Sequence, residues 1–321
     1  MYLTVLVPVY NEESVIEAFH SRLSAVLNAI DMAAEILFIN DGSTDSSLQL
    51  IEQLAARDDR VSFLNLSRNF GKENAMSAGI DRADGDAVVI IDADLQDPPE
   101  LIPDMLDLWS QGYDTVYARR ASRQGESFFK KFTSRHFYRL MGKLSKVDIP
   151  KNTGDFRLIS RRSVLALRGL PESHRFMKGL FAWIGYKQGE IVYERQGRHA
   201  GKSKFSYWRL WNFALDGITA FSTAPLKLAT YFGLTLSFLS LLYGSWIVIE
   251  TLMFGGDVPG YPSLMTVVLF LGGIQLFFLG ILGEYLGRMF DESKRRPLYL
   301  VEKYHAAVVV SDKNKEHNTD G

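Results

Sequence analysis

Two aspartates spaced two residues apart carry the clearest chemical signal in the chain. Asp92 and Asp94 follow the apolar run VVII at positions 88–91. Side chains of an extended chain repeat every second residue, so both carboxylates point the same way at the end of a strand. Such hard oxygen ligands suit Mg²⁺ or Mn²⁺, which proteins hold with one or two carboxylates and substrate phosphates. An EF-hand is excluded because Asp97 stands where that loop needs glycine.

A second polar turn follows an earlier apolar run and has the sequence NDGSTD at positions 40–45. Asp41 could accept hydrogen bonds from a nucleoside base or ribose, with Gly42 allowing a tight turn. An ordinary turn that leads into a helix N-cap explains the same residues equally well, because they are common turn formers. Both interpretations stay open at this stage.

Several other enzyme classes are disfavoured by what the motifs lack. No Gly-x-Gly-x-x-Gly follows a strand, which argues against dinucleotide redox chemistry. The segment GRHAGKS at 197–203 is one residue too short between its glycines for a phosphate-binding P-loop. A flexible basic loop that closes over a diphosphate is the preferred explanation, and a solvated run of charges is the alternative. A phosphatase with an aspartyl nucleophile would carry its aspartate pair at the first strand, which here ends in VYN at 9–11.

The first 120 residues alternate between strand and helix patterns, which predicts a mostly parallel, doubly wound α/β sheet. The predicted strands are 4–10, 35–40, 60–66 and 86–91, and the predicted helices are 12–30, 44–57 and 71–83. Asn11 is predicted to cap the first helix. Ligands of such sheets bind at the carboxyl ends of the strands, where both aspartate motifs fall.

Two apolar segments near the end of the chain are long enough to cross a bilayer. Residues 231–254 carry a single charge, Glu250, and residues 258–283 carry none. The alternative is a pair of helices buried in a soluble core. The turn between the segments lacks Lys and Arg, whereas basic residues flank the pair on both outer sides. This asymmetry predicts that both termini are cytoplasmic. The first ten residues lack a basic n-region and predict a strand, not a signal peptide.

Two further stretches mix basic and aromatic residues, and they predict interfacial amphipathic helices. The first covers 124–146. In the second, Phe205, Trp208, Trp211, Leu215 and Ile218 recur every three or four residues. The alternative is a helix packed on the sheet. The net charge of -1 gives no support to nucleic-acid binding, and the absence of cysteine excludes disulfides and thiol catalysis.

The motifs together resemble those of family 2 glycosyltransferases with the GT-A (Rossmann-like) fold. They are VPVYNEE at 7–13, NDGSTD at 40–45, SRNFGKE at 67–73, DADLQDPP at 92–99, GDFRL at 154–158 and KSKF at 202–205. With two C-terminal spans, the chain resembles polyisoprenyl-phosphate transferases of the bactoprenol (undecaprenyl-phosphate) glucosyltransferase type, which are related to dolichyl-phosphate mannose synthases. The similarity runs from residue 1 to about residue 305.

The resemblance assigns roles to the nucleotide and metal ligands. The nucleotide-sugar pocket would be formed by Pro8, Tyr10, Glu12, Asp41, Asp92, Arg198 and Lys204. Asp94 and Gln96 would hold Mg²⁺ or Mn²⁺, with Asp94 also counted among the catalytic residues.

The resemblance also assigns residues on the acceptor side. Arg119 would lie between the donor and acceptor phosphates, and Lys130 and Ser134 would meet the lipid phosphate. Asp155 occupies the catalytic-aspartate position, with its role open between general base and sugar-positioning group.

The implied reaction is inverting transfer of one glucose from UDP-glucose to undecaprenyl phosphate at the inner face of the bacterial inner membrane. GDP-mannose or a UDP-amino-arabinose donor is the nearest alternative. A processive synthase is disfavoured because its Gln-x-x-Arg-Trp motif is missing. A non-catalytic membrane scaffold is the alternative outside enzymes. A flippase and a second transferase would use the product in cell-envelope glycan modification, and the sequence leaves the oligomeric state open, a homo-oligomer included.

The predicted organisation has four parts. Residues 1–120 form the nucleotide-sugar half of the catalytic domain, and 121–222 form the acceptor half with its juxtamembrane helices. Residues 223–290 form a two-helix transmembrane anchor, and 291–321 form a cytoplasmic tail that is polar and mobile after Tyr304.

Overall fold

Eight strands form one sheet in the computed structural model, which describes residues 1–121, 153–173, 175–194, 223–254 and 260–308. The strands are β1 (Tyr2–Val9), β2 (Ala33–Asn40), β3 (Val61–Leu66), β4 (Ala87–Ile90), β5 (Thr115–Arg120), β6 (Thr153–Ser160), β7 (Gln188–Tyr193) and β8 (Val301–His305). Their order across the sheet is β7-β5-β6-β4-β1-β2-β3-β8.

The helices of the described residues fall into a group of six shorter helices and a long C-terminal pair. The first group is α1 (Ile16–Asn28), α2 (Ser47–Arg57), α3 (Lys72–Arg82), α4 (Ile102–Ser110), α5 (Arg161–Arg168) and α6 (Met177–Trp183), with a 3-10 turn at Pro99–Leu101. The pair is α7 (Ala224–Phe254) and α8 (Tyr261–Ser293).

The centre of the sheet is parallel, as predicted. Strand β1 pairs in parallel with β2 and β4, and β2 pairs in parallel with β3. The carboxyl ends of these strands therefore meet at one edge, where the loops carry the predicted site residues. Strand β6 runs antiparallel between β4 and β5, and β7 is parallel to β5. The mostly parallel α/β fold is thereby confirmed.

The central strands are buried on both faces because helices cover the sheet from both sides. Alternate residues of β1 point to opposite faces. Val5 and Val7 join a core with Phe19 of α1, whereas Leu6 joins a core with Met76 of α3. Each fully buried side chain of this size contributes roughly 1.5–3 kcal/mol to folding. These two cores hold the strand ends, and hence the site, in a fixed arrangement.

The prediction that Asn11 caps α1 is wrong. The helix begins at Ile16, and Asn11 lies in the left-handed region with φ of 54°. Its Oδ1 accepts a hydrogen bond from Thr44 N–H at 2.8 Å, and its own N–H donates to Ser43 Oγ at 3.0 Å. Asn11 therefore joins two loops at the edge of the sheet, because the turn after β1 directs it away from the helix.

Helices α7 and α8 are long and apolar enough to cross a membrane, over Pro225–Met253 and Ser263–Ser293. At a rise of about 1.5 Å per residue, 31 and 33 residues exceed the roughly 30 Å hydrocarbon core. The most apolar windows have no buried residues, and large side chains such as Leu241 and Trp246 are exposed. The alternative of two helices buried in a soluble core is therefore rejected.

The chain returns to the eight-stranded sheet after α8. Strand β8 pairs antiparallel with β3, including Leu64 with Tyr304. The sequence patterns predicted a tail from residue 291 onward. They did not predict that part of this tail forms a strand of the sheet. The amphipathic stretches at 124–146 and 205–218, the end of the tail and positions 255–259 lie outside the described residues.

Candidate active site

The site is formed by loops that follow the parallel strands, and each loop is bound to the next. Besides Asn11, the loop after β1 is attached through Glu12, whose N–H donates to Ser47 Oγ at 2.9 Å. Pro8 lies at the end of β1 and is half-buried, and Tyr10 is 42% exposed. The structure thus attaches the loop that contains Tyr10 and Glu12 to the segment after β2, and Pro8 lies in the strand from which this loop begins.

Asp41 connects the loop after β2 to the loop after β3. Its buried carboxylate accepts hydrogen bonds from the N–H groups of Phe70, at 2.7 Å, and Gly71, at 2.9 Å, and from Asn69 Nδ2 at 3.1 Å. Burial raises the pKa of Asp41, although these donors oppose the rise. The side chain therefore has a loop-shaping role, and its contact with uridine remains a prediction.

Gly42 is required by this close approach of loops. Its φ is +62°, and a Cβ built there would lie 2.4 Å from the backbone carbon of Arg68 and 2.5 Å from the nitrogen of Asn69. Any side chain would therefore separate the loops that Asp41 joins.

The Lys72 ammonium lies between two carboxylates at the centre of the site. Its Nζ is 2.6 and 2.8 Å from the two oxygens of Asp92 and 2.5 Å from Oδ2 of Asp155. Lys178 Nζ lies 3.9 Å from the other oxygen of Asp155. Predicted site residues from motifs 63 positions apart are thus brought together by a lysine to which the sequence analysis assigned no role.

The charges of this cluster shift one another's pKa values. Burial alone would raise the pKa of Asp155, but Lys72 and Lys178 outweigh burial and hold it well below its usual range. Burial would lower the pKa of Lys72, but Asp92 and Asp155 raise it. Asp155 is therefore an ionised carboxylate at neutral pH.

Two other ionisable residues, Arg157 and Glu73, interact electrostatically with Asp155. The buried Arg157 guanidinium stacks on the ring of Phe181, 3.9 Å from its centroid, and its Nη2 donates to Gly154 O at 3.0 Å. Burial lowers the pKa of Arg157 to about 10. Glu73, next to Lys72, accepts a hydrogen bond from Met177 N–H at 3.0 Å. Sequence reasoning missed Arg157 and Glu73, although both lie within the motifs it used.

The segment that carries Asp94 and Gln96 has a strained backbone. Leu95 has a φ of 60°, which a leucine rarely adopts, and such strain is typical of functional sites. Gln96 N–H donates to Asp94 Oδ1 at 3.1 Å. The buried Gln96 amide has an Nε2 without a hydrogen-bond partner among the described residues.

Asp94 and Gln96 fit the requirements of a hard divalent cation. A carboxylate and an amide offer the oxygen ligands that Mg²⁺ and Mn²⁺ use, and substrate phosphates commonly complete such sites. A metal would bind Oε1 of Gln96, whereas the unpaired Nε2 is a hydrogen-bond donor that suits an acceptor such as a substrate phosphate oxygen. The described residues contain no group of three or more His, Cys, Asp or Glu that could hold a metal without substrate.

Asp97 anchors the same segment to the far side of the sheet. It is buried and accepts a hydrogen bond from the hydroxyl of Tyr193 in β7. Burial and the Asp97 charge raise the pKa of Tyr193, so the hydroxyl stays a donor. The segment that carries Asp94 and Gln96 is thereby attached at both ends, to β4 and to β7.

Arg119 lies at the end of β5 and is held by a neighbouring strand. Its guanidinium forms two hydrogen bonds of 3.0 Å with the carboxylate of Glu190 in β7. Both side chains are partly exposed. The four other predicted residues, Lys130, Ser134, Arg198 and Lys204, lie outside the described residues.

Comparison with known families agrees with this architecture. The model of glycosyl transferase family 2 matches residues 4–167, and the model of the GtrB C-terminal hairpin matches residues 224–289. The chain belongs to glycosyltransferase family 2. This membership accounts for the catalytic sheet, and the second match covers the two apolar helices.

Individual relatives are similar over nearly the whole chain. A glycosyltransferase of Synechocystis sp. is 53% identical, over 93% of this chain and 94% of the relative. A prophage-derived bactoprenol glucosyl transferase of Shigella flexneri is 48% identical, over 95% and 99%. Among solved structures, mannosyl-3-phosphoglycerate synthase of Rubrobacter xylanophilus is 17% identical, over 68% of this chain and 72% of that chain, with a TM-score of 0.48.

Proposed function

We propose that the protein transfers one glucosyl unit from UDP-glucose to undecaprenyl phosphate, with inversion at the anomeric carbon. The observation that carries the proposal is the 48% identity to a bactoprenol glucosyl transferase over 95% of this chain. That similarity spans both the catalytic sheet and the apolar hairpin. A lipid acceptor explains why one chain combines a nucleotide-sugar fold with two helices that could span a membrane.

The nucleophile of this reaction needs little activation. A phosphate monoester is largely ionised at neutral pH, because its second pKa is about 6. Asp155 would be a weak proton acceptor, since its pKa is held well below the usual range. We therefore assign Asp155 to positioning the sugar, for which an ionised acceptor of hydrogen bonds is well suited.

The harder task is the departure of UDP next to a second anionic substrate. Arg119 is the residue we assign to the space between the two phosphates, where a cation offsets charge that develops on the leaving group. When substrates bind, Arg119 would leave its ion pair with Glu190 and bind the phosphates instead. The ion pair with Glu190 is partly exposed and therefore weak. A divalent metal held by Asp94 and Gln96 would supply further positive charge to the diphosphate.

The catalytic domain and both ends of the hairpin are proposed to lie on the cytoplasmic side. Strand β8 follows α8 and pairs with β3 of the same sheet that contains β1. A two-span hairpin whose two ends join one domain must return to the side from which it started. Basic residues flank the hairpin at Lys227 and Arg295, in agreement with the positive-inside rule.

The proposal is tested with purified protein, Mg²⁺, undecaprenyl phosphate and UDP-glucose, followed by mass analysis of the lipid. The expected products are a lipid phosphate that bears one hexose, and UDP. Release of UMP, or a lipid bearing two or more sugars, would refute the mechanism. Activity with only GDP-mannose or UDP-amino-arabinose would refute the donor. Binding of UDP without transfer to any lipid would support a non-catalytic scaffold.

A further inference from the structure

We infer that Lys72 is a positioning residue for sugar transfer, which holds the carboxylates of Asp92 and Asp155 in one fixed arrangement. This inference rests on the proposed function, because it assigns Asp155 to the transferred sugar. The comparisons give Lys72 no role. Its own contacts carry the argument.

The Lys72 ammonium donates a hydrogen bond to each of two carboxylates, Asp92 and Asp155. Nζ lies within 2.5–2.8 Å of both oxygens of Asp92 and of one oxygen of Asp155. An ammonium group has donors and no acceptor, so carboxylates on both sides are well-matched partners for it. The side chain is therefore fixed by its partners, and it fixes them in turn.

The two carboxylates come from different strands and would repel each other without this cation. Asp92 follows the end of β4, and Asp155 lies in β6, which is antiparallel to β4. Like charges at such short range disfavour ionisation of both groups. Lys72 offsets this repulsion and sets the distance between Asp155 and the end of β4. The nucleotide-sugar is proposed to bind at that end of β4.

The position of Lys72 is itself set by its neighbour in sequence. Lys72 is the first residue of α3, and Glu73 accepts the Met177 N–H at the start of α6. The next residue of α6, Lys178, lies 3.9 Å from Oδ1 of Asp155, beyond hydrogen-bonding distance. Lys72 thus engages one oxygen of Asp155, and the second oxygen is the one we assign to a sugar hydroxyl.

The absence of cysteine allows this inference to be tested by chemical rescue. In a Lys72→Cys variant, the thiolate displaces bromide from 2-bromoethylamine and restores an ammonium at the length of lysine. Iodoacetamide provides a neutral adduct of similar size. The Lys72 side chain is 41% exposed, so reagents can reach it. Lys303→Cys is the matched control. Lys303 lies on the outer strand β8, where it forms a 2.6 Å ion pair with Glu52 of α2.

We expect Lys72→Cys to lower kcat about 100-fold, the scale for loss of one electrostatic contact in a site. Aminoethylation should return kcat to within about tenfold of the wild type, and the neutral adduct should not. The Lys303→Cys protein should keep wild-type kcat in all three forms. Equal kcat for the charged and neutral adducts at position 72 would overturn the inference.

A second measurement separates this inference from the proposed function. Thermal melting of the ligand-free adducts needs no substrate. The charged adduct should melt at a higher temperature than the neutral one. This difference in melting temperature should shrink when Asp155→Asn is added, because the stability effects of changes at two interacting residues are not additive. An unchanged difference would refute the link to Asp155. Wild-type protein that is inactive on UDP-glucose would refute the function alone.

Discussion

Glu292 accepts two hydrogen bonds from Ser173, one from its backbone N–H at 2.8 Å and one from its Oγ at 2.9 Å. Glu292 lies in the last turn of α8, and Ser173 precedes α6 of the catalytic domain. Shortly after, the hydroxyl of Tyr299 donates to Asp81 of α3 at 2.8 Å. The second apolar helix is therefore bound directly to the catalytic domain where it leaves the hairpin.

Glu292→Ala should loosen this connection. Hydrogen bonds to a charged group contribute about 1.5–3 kcal/mol, so the melting temperature should fall. The KM for undecaprenyl phosphate should rise while UDP affinity stays unchanged, because the nucleotide loops are not touched. Glu284→Ala removes an i,i+4 pair with Arg288 within α8 and serves as the control. An equal loss of UDP affinity would show that Glu292 supports the whole domain.

Tyr193→Phe should destabilise the segment that carries Asp94 and Gln96. The change leaves buried Asp97 without one of its donors, which costs about 1–3 kcal/mol of unfolding free energy. Denaturant unfolding measures this loss. Tyr113→Phe is the control, since the contact of that ring with Lys187 is through its face and survives the loss of the hydroxyl. A Tyr193→Phe protein as stable as the control would contradict the anchoring role.

Asp94→Asn should nearly abolish transfer and leave the fold intact, because it removes a charge proposed to bind the metal and little volume. A loss of about 10²–10³ in kcat is the expected scale. Mn²⁺ binding in the presence of UDP, followed by electron paramagnetic resonance, should weaken in parallel. Asp104→Asn on the exposed side of α4 is the control. Turnover above about a tenth of the wild type would argue against the assignment.

Glu73 should make stability depend on pH near neutrality. Burial and the Asp155 charge raise its pKa from 4.5 to about 7. The folded protein keeps this proton to higher pH than the unfolded chain, so the contribution is full below pH 4.5 and is lost as pH rises through about 7. Glu73→Gln should flatten the melting temperature across this window, and Glu52→Gln should not. Identical pH profiles for Glu73→Gln and the wild type would refute the prediction.

The turn between the spans should be extracytoplasmic. A single cysteine at Asp257 is the suitable probe, because the chain has none of its own. An impermeant maleimide added outside spheroplasts should label it, whereas a cysteine at Glu52 should be labelled only after lysis. Labelling of position 257 only from the cytoplasmic side would reverse the topology.

Local patterns predicted the centre of the fold well. Apolar runs were enough to identify strands β1 to β4. The polar residues that follow those runs were enough to place Asp92 and Asp94 at the carboxyl ends of the strands. The antiparallel pairing of β6 with β4 was not predicted, because strand–helix alternation contains no information about the direction of a later strand. Without that register, the contact of Lys72 with both Asp92 and Asp155 could not be derived.

Other misses have equally physical causes. Asn11 has the residue type of a helix cap, but its contacts with the loop after β2 decide its conformation. Strand β8 is short and polar, with the sequence VEKYH, and it is identified only by its pairing with β3. The contacts of Asp41 with Phe70 and Gly71 were not predicted, because they depend on a third loop, and its contact with uridine remains a prediction.

The place of β8 in the chain has a consequence for biogenesis. The ribosome completes β1 to β7 before either apolar helix, but it makes β8 only after both. The hydrogen-bonding edge of β3 therefore stays open until the hairpin has been synthesised. A polypeptide truncated within the hairpin would present that bare edge to other chains, so translation through both helices and closure of the enzyme's sheet form one ordered sequence of events.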